Sequence, residues 1–320
     1  MQRHLTYIDW LKSFAIISVV LFHCSWFEDC YTASFFSISI PLFFVIYGGL
    51  TLQKDYDFKT ILWRNLHLLF IIAFWGALST IICMYSRSEP ITVKMVISHV
   101  CSLDVYYCTH LWFVCSLIVL NFLHPFLRWF VKSYTTKDIL ILWAIVGLIG
   151  LQGLDNFLRP ISMLDNWNGY CLFYYIGGYL LMTNQLSAKS LPTWSVMLLA
   201  ILGYLMMLTH NWLLLTNEWW YNHFLHYDMF FDSYRTYPCA LLTFAVFELA
   251  SRIPMREVGS ITYIARYTFA IYLIHWTLLI PTNHFMSSTW GKPFILIPIS
   301  LLIAILLDRI PFVRKIIQNR

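Results

Sequence analysis

Two ionisable residues bound the first long apolar stretch of the chain, KSFAIISVVLFH, at residues 12–23. Lys12 opens this stretch and His23 closes it. The spacing predicts that both side chains lie on one face of a helix, about 20° apart and separated by roughly 16 Å along the axis. An imidazole can take a proton from a hydroxyl near neutral pH, and an ammonium can bind a phosphate. The pattern therefore favours a site in which a cation and a base share one helix face.

Each of these residues also has a simpler interpretation. Lys12 can anchor the helix by extending its ammonium to the lipid headgroups. His23 can lie at the outer interface or hydrogen-bond to a neighbouring helix. An unpaired polar group in hydrocarbon costs several kcal/mol, so ionisable residues inside membrane helices tend to mark functional sites. The shared face favours the functional interpretation, with Lys12 near the cytoplasm and His23 deeper in the membrane.

The composition predicts an all-α, polytopic membrane protein. Of the 320 residues, 59% are hydrophobic and only 12% are charged, and the mean hydropathy is +0.66. Soluble domains carry about 25% charged residues. The formal charge of +5 therefore does not indicate nucleic-acid binding, and we expect the lipid bilayer as the partner. The positions of the basic residues instead indicate the orientation in the membrane. The eight cysteines lack the CxxC spacing of zinc sites, and we expect no metal.

About ten apolar runs have the length of a membrane-spanning helix. They cover residues 8–27, 36–53, 62–85, 111–130, 138–154, 170–184, 193–212, 234–250, 261–281 and 293–309. The first run lacks a small-residue cleavage site, so we expect it to be retained as a span. These runs predict a single transmembrane domain over residues 1–320.

The basic residues predict the orientation of the chain. If both termini lie in the cytoplasm, the basic residues that face outward are only Arg87, Lys94, Arg159, Arg235 and Lys292. Such a skew is expected from the positive-inside rule. The longest connections, about 86–110 and 213–233, then lie outside. Connections of this length often shape a binding site or a lid.

The stretch TNEWWYNHFLHYDMFFDSYR, residues 216–235, mixes aromatic rings with amide, imidazole and carboxylate groups. Such a mixture suits the apolar faces and hydroxyl rims of a sugar, and Asp228 is a candidate residue on this acceptor side. An aromatic loop lying on the membrane interface has the same composition. Also open is a disulfide among Cys30, Cys101 and Cys108, which the predicted topology places near the outer face.

Five short motifs resemble acyltransferase family 3, the bacterial integral-membrane O-acyltransferases that modify cell-surface glycans. They are YIDWLKSFAIISVVLFH at 7–23, PLFFVIYGG at 41–49, HLWFV at 110–114, YYIGGYLL at 174–181 and YTFAIYLIH at 267–275. The resemblance runs in the same order from about residue 5 to residue 309, and it is similar in character to the enterobacterial common antigen O-acetyltransferase type. It implies a multi-pass enzyme of the bacterial cytoplasmic membrane.

The resemblance implies transfer of an acyl group, an acetyl group in particular, from cytoplasmic acyl-CoA to a glycan hydroxyl reached from the other side. Acyl-CoA is then a co-substrate, and no resident cofactor is expected. His23 would act as the general base, or would carry the acyl group itself. His275, at a similar predicted depth, would orient the substrate or stabilise the developing oxyanion. A polar contact between helices would equally explain His275.

Further residues receive roles in the same way. Lys12 and Arg64 would bind the phosphates of coenzyme A, although Arg64 also suits a simple topogenic charge. His110 and Trp112 would line the acceptor side, although a tryptophan at that depth is also a common interface anchor.

Two residues depart from the family pattern, which usually has arginine where this chain has Lys12 and serine where it has Tyr47. Lysine keeps the positive charge but loses the planar fork that grips a phosphate with two hydrogen bonds. The main alternative function is a multi-pass exporter or transporter of a glycan or small metabolite. Transporters often have broken helices at the midplane, and corresponding halves of this chain show no paired Gly/Pro interruptions. A signalling or cell-shape protein without chemistry is disfavoured by the buried ionisable groups.

Overall fold

The computed structural model describes residues 5–24, 30–104, 106–151, 169–186, 190–218, 233–286 and 291–310. Within these ranges the chain is helical and contains no β-strand, which confirms the all-α prediction for them. The α-helices are α1 (Thr6–His23), α2 (Cys30–Phe36), α3 (Ser39–Thr51), α4 (Phe58–Ser86), α5 (Val93–Ser102), α6 (Trp112–Ser133), α7 (Thr136–Gly150), α8 (Gly169–Met182), α9 (Thr193–Thr216), α10 (Tyr237–Arg252), α11 (Gly259–Phe285) and α12 (Lys292–Asp308). Two short 3-10 turns, Thr109–Leu111 and Ser233–Arg235, precede α6 and α10.

Every apolar run predicted from the sequence overlaps one or more of these helices. Six stretches of the described chain are long and apolar enough to cross a membrane: Thr6–His23, Cys30–Thr51, Phe58–Ser86, Trp112–Ser133, Thr193–Leu213 and Gly259–Asn283. The protein is therefore a multi-pass membrane protein by the length and composition of its helices. The total of about ten spans and the cytoplasmic position of both termini stay predictions.

Two features of the helices were not predicted. The second apolar run is preceded by α2, a separate short helix that packs on α9, where Asn211 donates to the Ser34 hydroxyl at 2.8 Å. The predicted connection 86–110 contains the short helix α5, which begins where the Thr92 hydroxyl accepts from the Met95 amide. Tertiary contacts stabilise α2, and a side-chain cap stabilises the start of α5, in segments whose polar residues favour a loop.

Side-chain caps also explain where two of the longer helices begin. Asp57 precedes α4, and its carboxylate accepts a hydrogen bond from the Thr60 amide at 3.1 Å. Thr135 precedes α7 and forms a reciprocal capping box with Asp138. Each cap satisfies backbone N–H groups that the helix itself leaves without a partner.

The chain packs into two compact units. The first unit comprises the described parts of Met1–Ser18, Phe27–Asp55 and Phe126–Val258. Its central element is α8, in which every residue from Gly169 to Leu181 is buried. Helices α3 and α7 pack on α8, and α9 packs on α10. Burial on all sides explains why α8 lacks a polar face.

The contact between α3 and α8 depends on glycine. A side chain at Gly48 would collide with the backbone carbonyl of Tyr175, and one at Gly178 would collide with that of Val45. Small residues let two helix backbones approach closely, as is common where membrane helices pack. The motif YYIGGYLL therefore has a packing role in this chain.

The second unit comprises the described parts of Val19–Trp26, Tyr56–Pro125 and Gly259–Arg320. Helix α11 is its centre and packs on both α4 and α12, while α5 packs on α4. A buried hydrogen bond of 2.9 Å joins Ser79 of α4 to Thr277 of α11. The second unit contains the end of α1, so its polar interior includes His23.

Candidate active site

Three histidines that lie far apart in the sequence come together in the second unit, and we refer to His23, His110 and His275 as the imidazole cluster. His23 ends α1, His110 lies in the turn before α6, and His275 lies within α11. The ring centroids of His23 and His275 are 5.3 Å apart, and those of His110 and His275 are 6.4 Å apart. His110 and His275 are 2% and 0% exposed, whereas His23 is half-buried.

Helix α11 holds the turn that carries His110. The Tyr272 hydroxyl donates to the His110 carbonyl oxygen, and the Phe113 ring packs edge to face on Tyr272 at 5.3 Å. The Trp276 ring stacks on His110, with centroids 5.1 Å apart and an angle of 23° between the planes. Helix α11 therefore supplies His275 together with the two aromatic side chains that keep His110 beside it.

The backbone fixes the tautomer of the neutral His275 ring. Its Nδ1 lies 3.0 Å from the carbonyl oxygen of Ile271, one turn earlier in α11. Because a carbonyl oxygen can only accept, Nδ1 must carry a proton, and Nε2 of the neutral ring must carry a lone pair. This buried Nε2 has no hydrogen-bond partner among the described residues. His275 therefore presents a basic nitrogen to the site.

The buried ring of His110 has two free nitrogens. Neither Nδ1 nor Nε2 has a hydrogen-bond partner in the described part of the chain. Burial lowers the pKa of His110 well below its ordinary value of 6.5, and the nearby His275 and His23 rings act in the same direction. The ring is therefore neutral, with one N–H donor and one lone pair. A buried polar group without a partner costs about 1–3 kcal/mol, so this pair of nitrogens points to a ligand.

Trp276 lies next to all three members of the cluster, and sequence reasoning missed it. It follows His275 in the chain, stacks on His110, and meets the His23 ring nearly at right angles, with centroids 5.0 Å apart. Its indole N–H donates to the Tyr107 carbonyl at 3.1 Å. Its position directly after His275 is the one signal in the sequence that could have identified it.

Lys12 lies in the first unit, on the part of α1 that precedes Ser18. The side chain is half-buried, and the Asp9 carboxylate lies close enough for its charge to act on the ammonium. A lysine that is partly removed from water beside an acid is more than a freely solvated anchor. Its role in donor binding stays a prediction.

Arg64 lies in the second unit, near the start of α4. The guanidinium lies 4.2 Å from the centroid of the Tyr56 ring, and that ring lies 4.9 Å from the ring of the buried His124. A guanidinium over an aromatic face keeps its N–H groups pointing around the ring edge, where an anion can reach them.

Trp112 and Asp228 were predicted on the acceptor side. Trp112 is half-buried at the first position of α6, two residues after His110, and its ring packs at right angles to Phe113. Asp228 lies outside the described residues. The structure therefore brings His23, His110 and His275 together, and Trp112 follows His110 by two residues in the chain.

All eight cysteines are free thiols, so Cys30, Cys101 and Cys108 form no disulfide in this structure. Among the described residues, no group of three or more His, Cys, Asp or Glu side chains is arranged to hold a metal ion.

The fold and the imidazole cluster define a multi-pass helical membrane protein with a buried site suited to proton transfer. A family model described as an acyltransferase domain matches residues 5–309, nearly the whole chain. The chain belongs to acyltransferase family 3, as its motifs predict, and it is a membrane acyltransferase. No curated protein and no solved structure matches it.

Proposed function

We propose that the protein is an O-acyltransferase, an O-acetyltransferase in particular. It moves the acyl group of cytoplasmic acyl-CoA to a hydroxyl of a cell-surface or lipid-linked glycan, and it needs no resident cofactor. Membership of acyltransferase family 3 supports the reaction class. The distribution of basic residues supports an orientation with both termini in the cytoplasm, and the apolar runs support about ten spans. The bacterial cytoplasmic membrane is the location that the family resemblance implies.

The observation that carries this proposal is the set of free nitrogens in the imidazole cluster. His275 Nε2 and both ring nitrogens of His110 are buried without a hydrogen-bond partner among the described residues. Acyl transfer to an alcohol needs an acceptor for the hydroxyl proton and a donor for the oxyanion that forms on the carbonyl. Neutral imidazoles offer both kinds of group.

The proposed reaction uses His23 together with these groups. His23 takes the proton from the glycan hydroxyl as that oxygen attacks the carbonyl carbon of the thioester. A C–O bond forms, the C–S bond breaks, and the protonated imidazole returns its proton to the leaving thiolate of coenzyme A. The N–H of His110 is suited to bind the developing oxyanion, and His275 Nε2 is a second basic nitrogen beside His23.

A covalent route uses the same residues. In it, His23 attacks the thioester, carries the acyl group as an acyl-imidazole, and passes it to the hydroxyl in a second step. His23 is half-buried, whereas the other two rings of the cluster are buried. His23 is therefore the most accessible of the three rings to two substrates that arrive in turn.

The cationic residues are proposed to bind the donor. Lys12 and Arg64 would contact the phosphates of coenzyme A, Lys12 as a point charge and Arg64 through its fork of N–H groups. The contact of Arg64 with the Tyr56 ring supports this role, because it holds the guanidinium in one orientation.

The acceptor is proposed to bind near His110, with Trp112 and Asp228 contributing to its recognition. An aromatic ring offers a surface for the apolar face of a sugar, and a carboxylate can accept bonds from hydroxyl groups.

Inside-out vesicles that contain the protein provide the test. Acetyl-CoA labelled in its acetyl group is added to the exposed cytoplasmic face, and the label in extracted glycan is compared with that from vesicles lacking the protein. We expect label in glycan only when the protein is present, and the label should be released by mild base as expected for an ester. Glycan that accumulates in the vesicle lumen without ever acquiring label would instead support the exporter alternative and contradict the proposal.

A further inference from the structure

Trp276 separates two members of the imidazole cluster and touches both. Its ring stacks on His110, at 5.1 Å and 23°, and meets the ring of His23 at 5.0 Å and 80°. Any tilt of this indole would therefore change the contact with both imidazoles. The orientation of Trp276 thus bears on where the nitrogens of His23 and His110 point.

One hydrogen bond holds the polar edge of the Trp276 indole. Tryptophan has one donor, and the N–H of Trp276 donates it to the main-chain carbonyl of Tyr107 at 3.1 Å. Tyr107 lies in the connection between α5 and α6, three residues before His110. The position of the Tyr107 main chain therefore sets the orientation of Trp276.

The side chain of Tyr107 is held from two sides. Its hydroxyl donates to the Glu89 carboxylate at 2.6 Å, and its ring stacks on His99 with centroids 4.2 Å apart. Hydrogen bonds to a charged acceptor are shorter and stronger than neutral ones. The bond to Glu89 also raises the pKa of Tyr107, so the phenol stays protonated and keeps donating. The same residue thus holds Glu89 through its side chain and Trp276 through its main chain.

The neighbouring residue provides a contrast. Tyr106 is 68% exposed, whereas Tyr107 is 8% exposed. The Arg87 guanidinium lies 5.5 Å from the centroid of the Tyr106 ring and 5.3 Å from that of the Tyr107 ring. Trp276 bonds to the carbonyl of Tyr107 and not to that of Tyr106. The two adjacent tyrosines therefore form a matched pair for an experiment.

We propose that Glu89 and Tyr107 form a clamp that positions Trp276, and through it His23 and His110, for acyl transfer. Glu89, Tyr107 and Trp276 are positioning residues in this account, and the inference rests on the proposed acyl transfer. In this account the clamp acts on His23 and His110 and not on the donor-binding residues Lys12 and Arg64, so we expect it to change turnover without changing donor binding.

The activity test compares four single variants of the full chain in vesicles. Tyr107→Phe and Glu89→Leu remove the clamp bond and are expected to lower kcat about tenfold, with KM for acetyl-CoA unchanged. Glu89→Gln keeps an oxygen acceptor and is expected to restore kcat to within about threefold of wild type. Tyr106→Phe is the matched control and should behave as wild type. A Tyr107→Phe enzyme as active as Tyr106→Phe, or a Glu89→Gln enzyme as impaired as Glu89→Leu, would overturn the clamp.

A second readout does not depend on activity. In protein labelled with 15N-tryptophan and held in detergent micelles, the Trp276 indole resonance is the one that disappears in Trp276→Phe. It should shift in Tyr107→Phe and Glu89→Leu and stay in place in Tyr106→Phe. An unchanged resonance in the first two variants overturns the clamp even if their activity falls, because the loss would then have another cause. A wild type that transfers no acetyl group at all contradicts the proposed function, whatever the resonance does.

Discussion

The buried phenols of the first unit and the buried imidazoles of the second unit differ in their hydrogen bonding. In the first unit, the buried Tyr174 hydroxyl donates to the Tyr234 carbonyl at 2.8 Å, and the buried Tyr175 hydroxyl pairs with that of Thr51 at 2.9 Å. In the second unit, His110 and His275 are equally buried, yet three of their four ring nitrogens have no partner among the described residues. The phenols are hydrogen-bonded within the protein, whereas these imidazole nitrogens are available to bind a ligand.

This difference distinguishes buried polar groups that stabilise the fold from buried polar groups that take part in a reaction. A satisfied buried hydrogen bond contributes about 1 kcal/mol to stability and makes the packing specific. An unsatisfied group lowers stability, so a cluster of them points to a ligand or a reaction that uses it. We therefore expect substitutions of these phenols to change stability, and substitutions in the imidazole cluster to change the reaction.

Apart from the loss of His23 itself, the largest expected effect is that of His275→Asn. The amide N–H₂ of asparagine can still donate toward the Ile271 carbonyl, but the basic Nε2 is gone. If Nε2 accepts a proton in the reaction, acetyl transfer should fall by about 100- to 10,000-fold while the melting temperature changes little. His210→Asn, a half-buried histidine of the first unit, serves as the control and should keep its activity. Equal activity in the two variants would remove His275 from the chemistry.

A smaller effect of the opposite kind is expected for Tyr175→Phe. The substitution removes the hydroxyl that pairs with Thr51 and leaves the ring that packs in α8. The free energy of unfolding should fall by about 1 kcal/mol, while transfer per folded molecule stays within about twofold of wild type. Tyr134→Phe is the matched control, because that ring is exposed. If Tyr175→Phe lost acyl transfer without losing stability, the distinction between stabilising phenols and reactive imidazoles would be wrong.

The smallest effect is expected at Asp55, an exposed acid of the first unit. It accepts hydrogen bonds from Arg128 at 3.0 Å and from Lys132 at 2.7 Å, and these bonds lower its pKa to about 2. A depressed pKa stabilises the folded state above the unfolded value of about 3.8, and this stabilisation is lost as the pH falls towards 2. Asp55→Asn should therefore melt slightly below wild type at neutral pH and converge with it between pH 4 and pH 2. A difference in melting temperature that persists below pH 2 would show that it does not come from the charge of Asp55.

Hydropathy predicted the helices well, because a spanning helix must be apolar over its whole length. Every predicted run overlaps a helix, and the close approach of α3 to α8 falls on the glycines of two of the motifs. Helix α2 was missed because its sequence, CYTASFF, mixes small polar residues with apolar ones. Its packing on α9 supplies the stabilisation that propensity does not.

The site was less predictable than the helices. Periodicity placed Lys12 and His23 on one face, and depth suggested that His275 lies near His23. The free nitrogens of the imidazole cluster and the contact between Trp276 and Tyr107 depend on contacts between segments far apart in the chain, 169 residues apart in the case of Trp276 and Tyr107. The tautomer of His275 depends on the backbone geometry of α11. A single sequence carries no record of such pairs, so these features required the structure.

The acetyl content of surface glycan in cells producing His23→Ala tests the central claim most directly. Wild-type and variant cells are compared with cells lacking the protein, after immunoblotting shows that both proteins are inserted in the membrane in equal amounts. If the imidazole cluster performs the transfer through His23, the variant's glycan should carry no more acetyl ester than that of cells lacking the protein. Glycan acetylated to the wild-type level by His23→Ala would contradict the account.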